Sequence, residues 1–192
     1  MSPILGIYAS QMSGHLWPAS SYESIATTTV GAGGVSSVTF SSIPSTYTHL
    51  QVRILAKFEE PTVAVDSIRT RFNGDSGNNS ARHRISGDGS TASSAAATTT
   101  SFVNAGDMST NSSNSGIFGC AILDILDYAN TNKYKTTRSL DGNDRNGAGT
   151  VGLRSGLWMN TSAITEISFA AVGGSDFTQY SSFALYGIKG VA

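Results

Sequence analysis

The chain reads THLQVRILAKF from residue 48 to residue 58, and this stretch decides the fold class. Large apolar side chains occur at every second position, as at Leu50, Val52 and Ile54, and continue at Ala56 and Phe58. A period of two places alternate side chains on opposite faces of a strand, whereas a helix would repeat every 3.6 residues. The stretch therefore predicts a β-strand with one buried face. The residues predicted to face outward are His49, Gln51, Arg53 and Lys57.

Other short stretches with apolar residues and flanking glycine or asparagine predict further strands. They cover residues 25–30, 35–41, 65–72, 81–86, 133–140, 150–159, 163–172 and 179–188. The glycine-rich residues 31–34 suggest a hairpin between the first two. Turns are predicted at residues 73–79, 141–142, 146–147 and 173–174, and residues 86–101, rich in glycine, serine, alanine and threonine, predict a surface loop. Many short strands separated by turn signals are typical of an all-β, two-sheet sandwich, here a single one over residues 25–192.

Residues 117–128 are apolar at almost every position and predict a central strand covered on both faces. A buried helix is the alternative, because a short apolar run does not distinguish the two by period alone. Cys120 lies in this stretch and is expected to be a small buried side chain. As the one cysteine of the chain it has no partner for an internal disulfide, which suits a reducing cytoplasm.

Residues 1–24 follow no period and predict an extended N-terminal arm. The arm carries bulky apolar side chains that would be a liability if they stayed in water, so we expect them to bind a partner. A neighbouring subunit is the preferred partner and the arm's own domain is the alternative. The predicted contact residues of the arm are Ile4, Leu5, Ile7, Tyr8, Leu16 and Trp17.

Composition excludes several classes of function. The 192 residues carry a net charge of −1, and Lys and Arg form no run, which argues against nucleic acid as a partner. No apolar stretch reaches the ~20 residues of a transmembrane helix, and no secretion signal is recognisable. With only 13% charged residues and three histidines, the chain also offers little for catalysis. We expect no enzyme activity, no catalytic residues, no cofactor and no metal ion.

The turn at residues 73–79 contains two partial motifs. Gly74-Asp75-Ser76-Gly77 resembles the segment around the nucleophile of chymotrypsin-like proteases, but no histidine lies upstream in the required context. Oxygen ligands at the alternate positions Asn73, Asp75 and Gly77 would also suit calcium. The position that an EF-hand reserves for Glu holds Arg84, so only a looser ion site remains open.

Three further sets of residues have both a functional and a simpler reading. Paired carboxylates would suit glycoside hydrolysis, but the acids are scattered and simple solvation explains them. A basic group could meet an acidic partner or a sugar acid, or form a solvated face. Aromatic residues could stack on sugar rings or fill the core and interfaces. The carboxylates are Asp124, Asp127 and Glu166. The basic group consists of Arg69, Arg71, Arg82, His83 and Arg84. The aromatic residues are Trp17, Trp158, Tyr22 and Tyr180.

Five segments together resemble a family of small structural proteins of tailed bacteriophages. They are residues 2–10 (SPILGIYAS), 42–44 with 47–53 (SIP and YTHLQVR), 71–75 (RFNGD), 125–135 (ILDYANTNKYK) and 183–188 (FALYGI). The resemblance spans nearly the whole chain. It implies a virion or tail-region component with a jelly-roll-like domain, assembled in the host cytoplasm, and it brings no catalytic residues.

Together these observations predict a jelly-roll β-sandwich that forms a homo-oligomer, with a trimer expected, on a phage particle. The preferred role is a capsid decoration or cement protein whose arm, residues 1–24, inserts into the shell built by the major capsid protein. The alternative is a tail-associated receptor-binding module that holds host glycans between residues 73–79 and 86–101. Neither nucleic acid nor membrane is an expected partner.

Overall fold

The structure, a computed structural model, describes residues 21–112 and 116–190. These residues form twelve strands and no helix, which confirms the all-β class. The strands are β1 Tyr22–Thr29, β2 Ser37–Phe40, β3 His49–Phe58, β4 Val65–Phe72, β5 Ser80–Gly87, β6 Ala92–Thr100, β7 Val103–Thr110, β8 Gly119–Leu126, β9 Lys135–Asp144, β10 Gly149–Trp158, β11 Ile167–Ala171 and β12 Ser182–Ile188. None of the described elements is a helix that could cross a membrane.

Hydrogen bonds connect all twelve strands into one open, mixed sheet. One antiparallel run has the order β1-β12-β3-β8-β9-β10-β5-β6, and a second has the order β2-β11-β4-β7. A short parallel pairing joins them, with Lys57 of β3 opposite Ser109 of β7. The hairpin expected at residues 31–34 is wrong, because β1 pairs with β12 and β2 pairs with β11. Residues 31–34 instead carry the chain from one run to the other.

The buried faces of the two runs contact each other through aromatic side chains. Phe169 of β11 lies 5.4 Å, ring centre to ring centre, from Phe183 of β12. Phe58 at the end of β3 stacks on Phe177 with centres 4.8 Å apart. Such offset and tilted pairs add to the free energy gained from burying the rings. The core therefore sits between the runs, and β7 lies across β8, β9 and β10 without pairing with them.

Strand β3 confirms the alternation on which the fold class rests. Its apolar side chains from Leu50 to Phe58 are buried at every second position. Two residues predicted to face outward are nevertheless buried, Gln51 and Lys57. Gln51 donates a hydrogen bond to the Asp124 side chain on the neighbouring strand β8. Lys57 lies where the two runs join. Arg53 is exposed as predicted.

Residues 117–128 contain strand β8, so the strand is confirmed and the helix is excluded. Burial on both faces is wrong. Leu123 and Ile125 are buried, whereas Ile122 is 41% exposed and Cys120 is also exposed. No other described strand covers this second face, so the apolar residues at alternate positions on it reach the surface.

The prediction that residues 86–101 form a loop is also wrong, because their backbone is largely in a strand. Most of it is strand β6, paired with β5. Its side chains are mostly exposed, as their small size and polarity suggested. Residues 141–142, predicted as a turn, lie inside β9, whereas the turn at residues 146–147 is confirmed by positive φ angles at both positions.

The two ends of the described chain lie side by side. Tyr22 at the start of β1 stands opposite Ile188 at the end of β12, and the Lys189 amide donates to the Ser21 carbonyl at 3.0 Å. The Lys189 ammonium pairs with Glu23. Strand β1 begins within the last residues of the predicted arm. The predicted contact residues Ile4, Leu5, Ile7, Tyr8, Leu16 and Trp17 lie outside the described residues.

Candidate functional site

The outer side of the sheet carries a row of exposed apolar side chains on four adjacent strands. Ile85 of β5 stands opposite Leu153 of β10, which stands opposite Leu140 of β9. Leu140 in turn stands opposite Ile122 of β8. All four side chains are between 41% and 63% exposed. Because directly opposed residues of paired strands point to the same side, the four side chains form one continuous apolar strip.

A second row runs beside the first. Val151 stands opposite Gly142, Gly142 opposite Cys120, and Cys120 opposite Leu55. Val151 and Leu55 are about half exposed, and Cys120 is exposed. We call the two rows together the apolar face. It consists of Leu55, Cys120, Ile122, Leu140, Ile85, Val151 and Leu153.

The apolar face is large enough to be an interaction site. It crosses five strands spaced about 4.8 Å apart, and its two rows lie about 7 Å apart, so it covers on the order of 300 Å². Contiguous apolar patches of this size on a protein surface commonly mark interaction sites. A groove of about 690 Å³ adjoins it beside Phe118 and Val151. On the other side a polar network borders it, in which Arg138 pairs with Asp124 at 3.0 Å.

The opposite side of the same strands holds a buried ion pair. Arg154 of β10 donates from Nε to Asp141 Oδ1 at 2.7 Å and pairs through Nη2 with Asp107 Oδ2 at 2.6 Å. The Arg154 and Asp141 side chains are only 3% and 1% exposed. Burial lowers the pKa of Arg154, but the hydrogen bond that Arg154 donates to Asp141 and the charges of Asp107 and Asp141 more than offset it, so that pKa is raised. Arg154 therefore stays charged and links β9, β10 and β7.

Glycines make room for this pair. A Cβ at Gly152 would lie 2.8 Å from Asp141 Oδ1, and one at Gly106 would lie 2.7 Å from Asp141 Cβ. Both distances are shorter than real Cβ contacts allow. The polar cluster therefore depends on small residues on two strands of the facing layers.

Next to the ion pair is a pocket of about 270 Å³. Arg82 lies within it, with its guanidinium carbon 4.3 Å from the centre of the Phe102 ring. The Nη1 atom of Arg82 is buried and has no hydrogen-bond partner among the described residues. Burial and the charges of Arg154 and Arg84 lower the pKa of Arg82. The residues that line the pocket are Ser67, Arg82, His83, Arg84, Ala95, Ala96, Ala97, Asn104, Arg154, Ser155 and Val172.

The structure brings part of the predicted basic group together. Arg82, His83 and Arg84 line the pocket, whereas Arg71 donates to the Ser101 carbonyl at 3.0 Å. Arg69 is not a lining residue of the pocket. The contribution of Arg154 was missed, because it is far away in sequence and stands in a stretch that reads as an ordinary strand. Its isolated charge between Gly152 and Gly156 is the signal that could have identified it.

The turn at residues 73–79 is confirmed, and its acid has structural partners. Asp75 accepts hydrogen bonds from the Gly77 amide, from Asn79 Nδ2 and from the Trp158 indole, each at 2.8 Å. Trp158 is buried against Phe72, so the reading of Trp158 as a sugar-stacking surface is wrong. Among the residues that the structure describes, no cluster of three or more possible metal ligands occurs.

Two of the acids considered for glycoside hydrolysis, Asp124 and Asp127, have partners of their own. Asp124 accepts from Gln51 and Arg138. Asp127 pairs with Lys133 and lies 3.3 Å from the His49 ring. The two acids are therefore part of separate surface networks. Tyr180 and Tyr22 are exposed.

Two candidate surfaces thus lie back to back on β10 and β5: the apolar face and the pocket beside Arg82, which we call the arginine pocket. Comparison of the chain with protein-family models, with curated proteins and with solved structures gives no match.

Proposed function

We propose that the chain is a structural protein of a tailed-bacteriophage virion, a capsid decoration or cement protein that assembles as a homo-oligomer through the apolar face. The observation that carries the proposal is this face. Leu140 and Leu153 stand opposite each other at its centre, each at least half exposed. A surface of this kind in contact with water favours association, because burial of apolar area is the main driving force of assembly.

The layout of the face fits a subunit interface. Its apolar centre is bordered by the charged pair of Arg138 and Asp124, and interfaces commonly combine an apolar core with a polar rim. The face covers on the order of 300 Å², whereas a stable interface commonly buries about 800 Å² on each partner. The remaining area would come from the rim and from the arm, residues 1–24, bound to a neighbouring subunit or to the shell. A trimer with such arms gains avidity for the major capsid protein.

A jelly-roll topology is part of the same proposal, and the strand order supports it. With β5, β6, β9 and β10 set aside as two added hairpins, eight strands remain. They stand in the orders β1-β12-β3-β8 and β2-β11-β4-β7. Numbered one to eight, these are 1-8-3-6 and 2-7-4-5, the orders that arise when an eight-stranded double Greek key is wrapped into two facing sheets. The added hairpins carry four of the seven residues of the apolar face and the three arginines at the pocket.

The test of assembly is the oligomeric state of the full chain, measured by light scattering during size-exclusion chromatography. We expect an oligomer. The double variant Leu140→Lys with Leu153→Lys should be monomeric and still folded, with the β-sheet circular dichroism spectrum of the native chain, because both side chains are exposed in the single chain. Val63→Lys, which places one lysine at an exposed apolar residue outside the face, is the control and should stay oligomeric. A monomeric native chain at about 100 µM would overturn the proposal.

A second candidate function is a tail-associated receptor-binding module for a host glycan. The arginine pocket favours it, because a charged, partly enclosed pocket is suited to a small polar ligand. A glycan array probed with the purified chain separates the two functions, since a cement protein needs no glycan. Localisation of the chain on the shell or at the tail of the particle is the corresponding measurement in the virion.

A further inference from the structure

We propose that the pocket beside Arg82 binds a single carboxylate, such as that of a sugar acid. The proposal does not depend on the role of the apolar face, because the two surfaces lie on opposite sides of β5 and β10. Arg82 and Arg84 alternate with Ile85 along β5, so the charged side chains point into the pocket while Ile85 points to the apolar face.

Arg82 is the donor expected to hold the carboxylate. Its guanidinium lies over the Phe102 ring, which fixes the orientation of the fork before a ligand arrives. Nη1 has no acceptor within the described residues, and burying a donor without a partner makes the folded state less stable. A carboxylate matches the planar guanidinium in a two-bond arrangement and would supply the acceptor after a small movement of the side chain.

The charge count favours a ligand with one negative charge. Three arginines surround the pocket, Arg82, Arg84 and Arg154, and two carboxylates, Asp107 and Asp141, neutralise part of them. Asp107 pairs with both Arg84 and Arg154, and Asp141 pairs with Arg154. One positive charge remains, on Arg82. A carboxylate balances it, whereas a dianionic phosphate would leave an unpaired negative charge in a half-buried site.

The uncharged lining suits a sugar ring. Ala95 and Ala97 stand opposite Arg84 and Arg82 in the register of β5 and β6, so their small side chains share the pocket side and leave space. Asn104 also lines the pocket, and its Oδ1 atom is buried without a partner among the described residues. This atom can accept a hydrogen bond from a hydroxyl. A guanidinium that donates to a carboxylate, beside an amide oxygen that accepts from a hydroxyl group, is the pattern expected of a site for a sugar acid.

Titration of the full chain with glucuronate, followed by NMR or calorimetry, tests the proposal. We expect saturable binding with a dissociation constant on the order of 1 mM or below. Methyl glucoside, which has the ring without the carboxylate, should bind at least tenfold more weakly, and inorganic phosphate should not compete at equal concentration. Equal binding of the neutral glucoside, or tighter binding of phosphate, contradicts the carboxylate assignment.

Two variants locate the site. Arg82→Gln should weaken glucuronate binding at least tenfold, because it removes the charged fork. Ala95→Phe should do the same by filling the pocket, and its exposed position keeps the fold intact. Arg138→Gln, on the other side of the sheet, is the matched control and should bind as the native chain does. Unchanged binding in both pocket variants, or absence of glucuronate binding in the native chain, overturns the proposal whatever the oligomeric state.

Discussion

At the residue scale, Arg154 shows how strongly one charge can be tied to the fold. It is 3% exposed and pairs with Asp141 and Asp107 on two other strands. Removal of one partner of a buried ion pair leaves an uncompensated charge, which is far more costly than the loss of an exposed pair. The stability of β9, β10 and β7 should therefore depend on this side chain.

The substitution Arg154→Met tests this dependence. We expect it to lower the free energy of unfolding by about 3–5 kcal/mol, because buried Asp141 loses its cation and Asp107 keeps only the half-exposed Arg84. Arg138→Met is the control, since Arg138 is 67% exposed and pairs with Asp124 at the surface, where such pairs contribute about 1 kcal/mol or less. Urea denaturation at neutral pH measures both. Equal losses for the two variants would show that burial does not govern the effect.

Asp75 gives a prediction about pH. Hydrogen bonds from Asn79, from the Gly77 amide and from Trp158 lower the pKa of this carboxyl, in that order of size. A pKa lowered in the folded state stabilises the protein above the unfolded value of about 3.9, and this stabilisation is lost as pH falls through the lowered pKa. Protonation must then break part of the network that holds the turn to Trp158.

Asp75→Asn should therefore be less stable than the native chain by about 1 kcal/mol near pH 6. The difference should shrink as pH falls below about 4, because the native chain loses the contribution that the variant already lacks. Thermal unfolding between pH 6 and pH 2.5 follows both curves. Ser76→Ala, at the exposed neighbouring position, should run parallel to the native curve. A constant difference at all pH values would exclude the carboxylate as its source.

At the element scale, β10 depends on a residue without a side chain. A Cβ on Gly156 would lie 2.5 Å from Thr137 Oγ1 and 2.8 Å from Val103 Cγ1. Thr137 lies on the paired strand β9 and Val103 on the facing strand β7, so neither can move away without disturbing its own layer. Glycine in the middle of a strand is otherwise unfavourable. Its presence here is explained by this close approach.

We expect Gly156→Ala to destabilise the chain by about 1–3 kcal/mol through overpacking. Gly142→Ala on β9 is the matched control, because the nearest atom to its Cβ would be 3.8 Å away, at ordinary contact distance. That variant should be neutral or slightly stabilising, since alanine loses less backbone entropy on folding. Chemical denaturation compares the two. A stable Gly156→Ala variant would mean that β7 is free to shift.

The strands that the sequence predicts well are those with one apolar face, and β3 and β4 are clear examples. Strand β6 was missed because its alanines, serines and threonines carry no apolar period, and its pairing with β5 provides what holds it. Strand β7 was missed because it is almost entirely buried although several of its residues are polar. Its polar residue Asp107 is buried by an ion pair with Arg154, a partner that no local pattern indicates.

The same reasoning applies to the candidate site. Arg82, His83 and Arg84 stood out as a basic group in the sequence, and they do line the pocket. The apolar face was not predictable, because Ile122 and Leu140 look like core residues until the pairing of the strands shows which side is covered. Exposure of such residues is decided by the three-dimensional arrangement of the strands.

At the scale of the whole molecule, the sheet and the arm should be separable. Strand β1 begins at Tyr22 and is held along its length by β12. Deletion of residues 1–20 leaves this pairing intact, so we expect the thermal midpoint to change little. If the proposed function is correct, the shortened chain should no longer bind particles. A pelleting assay with particles lacking the native protein measures this binding, and full retention of the shortened chain would remove the arm from the proposal.

The side-by-side position of Ser21 and Lys189 makes a circular permutation of the chain feasible. In a chain shortened to residues 21–189, a short glycine linker could join Ser21 to Lys189 at this corner, and new ends could be opened at the exposed turn of residues 146–147 between β9 and β10. Such a circular permutant would keep every strand pairing of the sheet while placing its free ends at the far hairpin. A cargo fused to those ends would then project beside the candidate surfaces instead of from the corner where β1 begins.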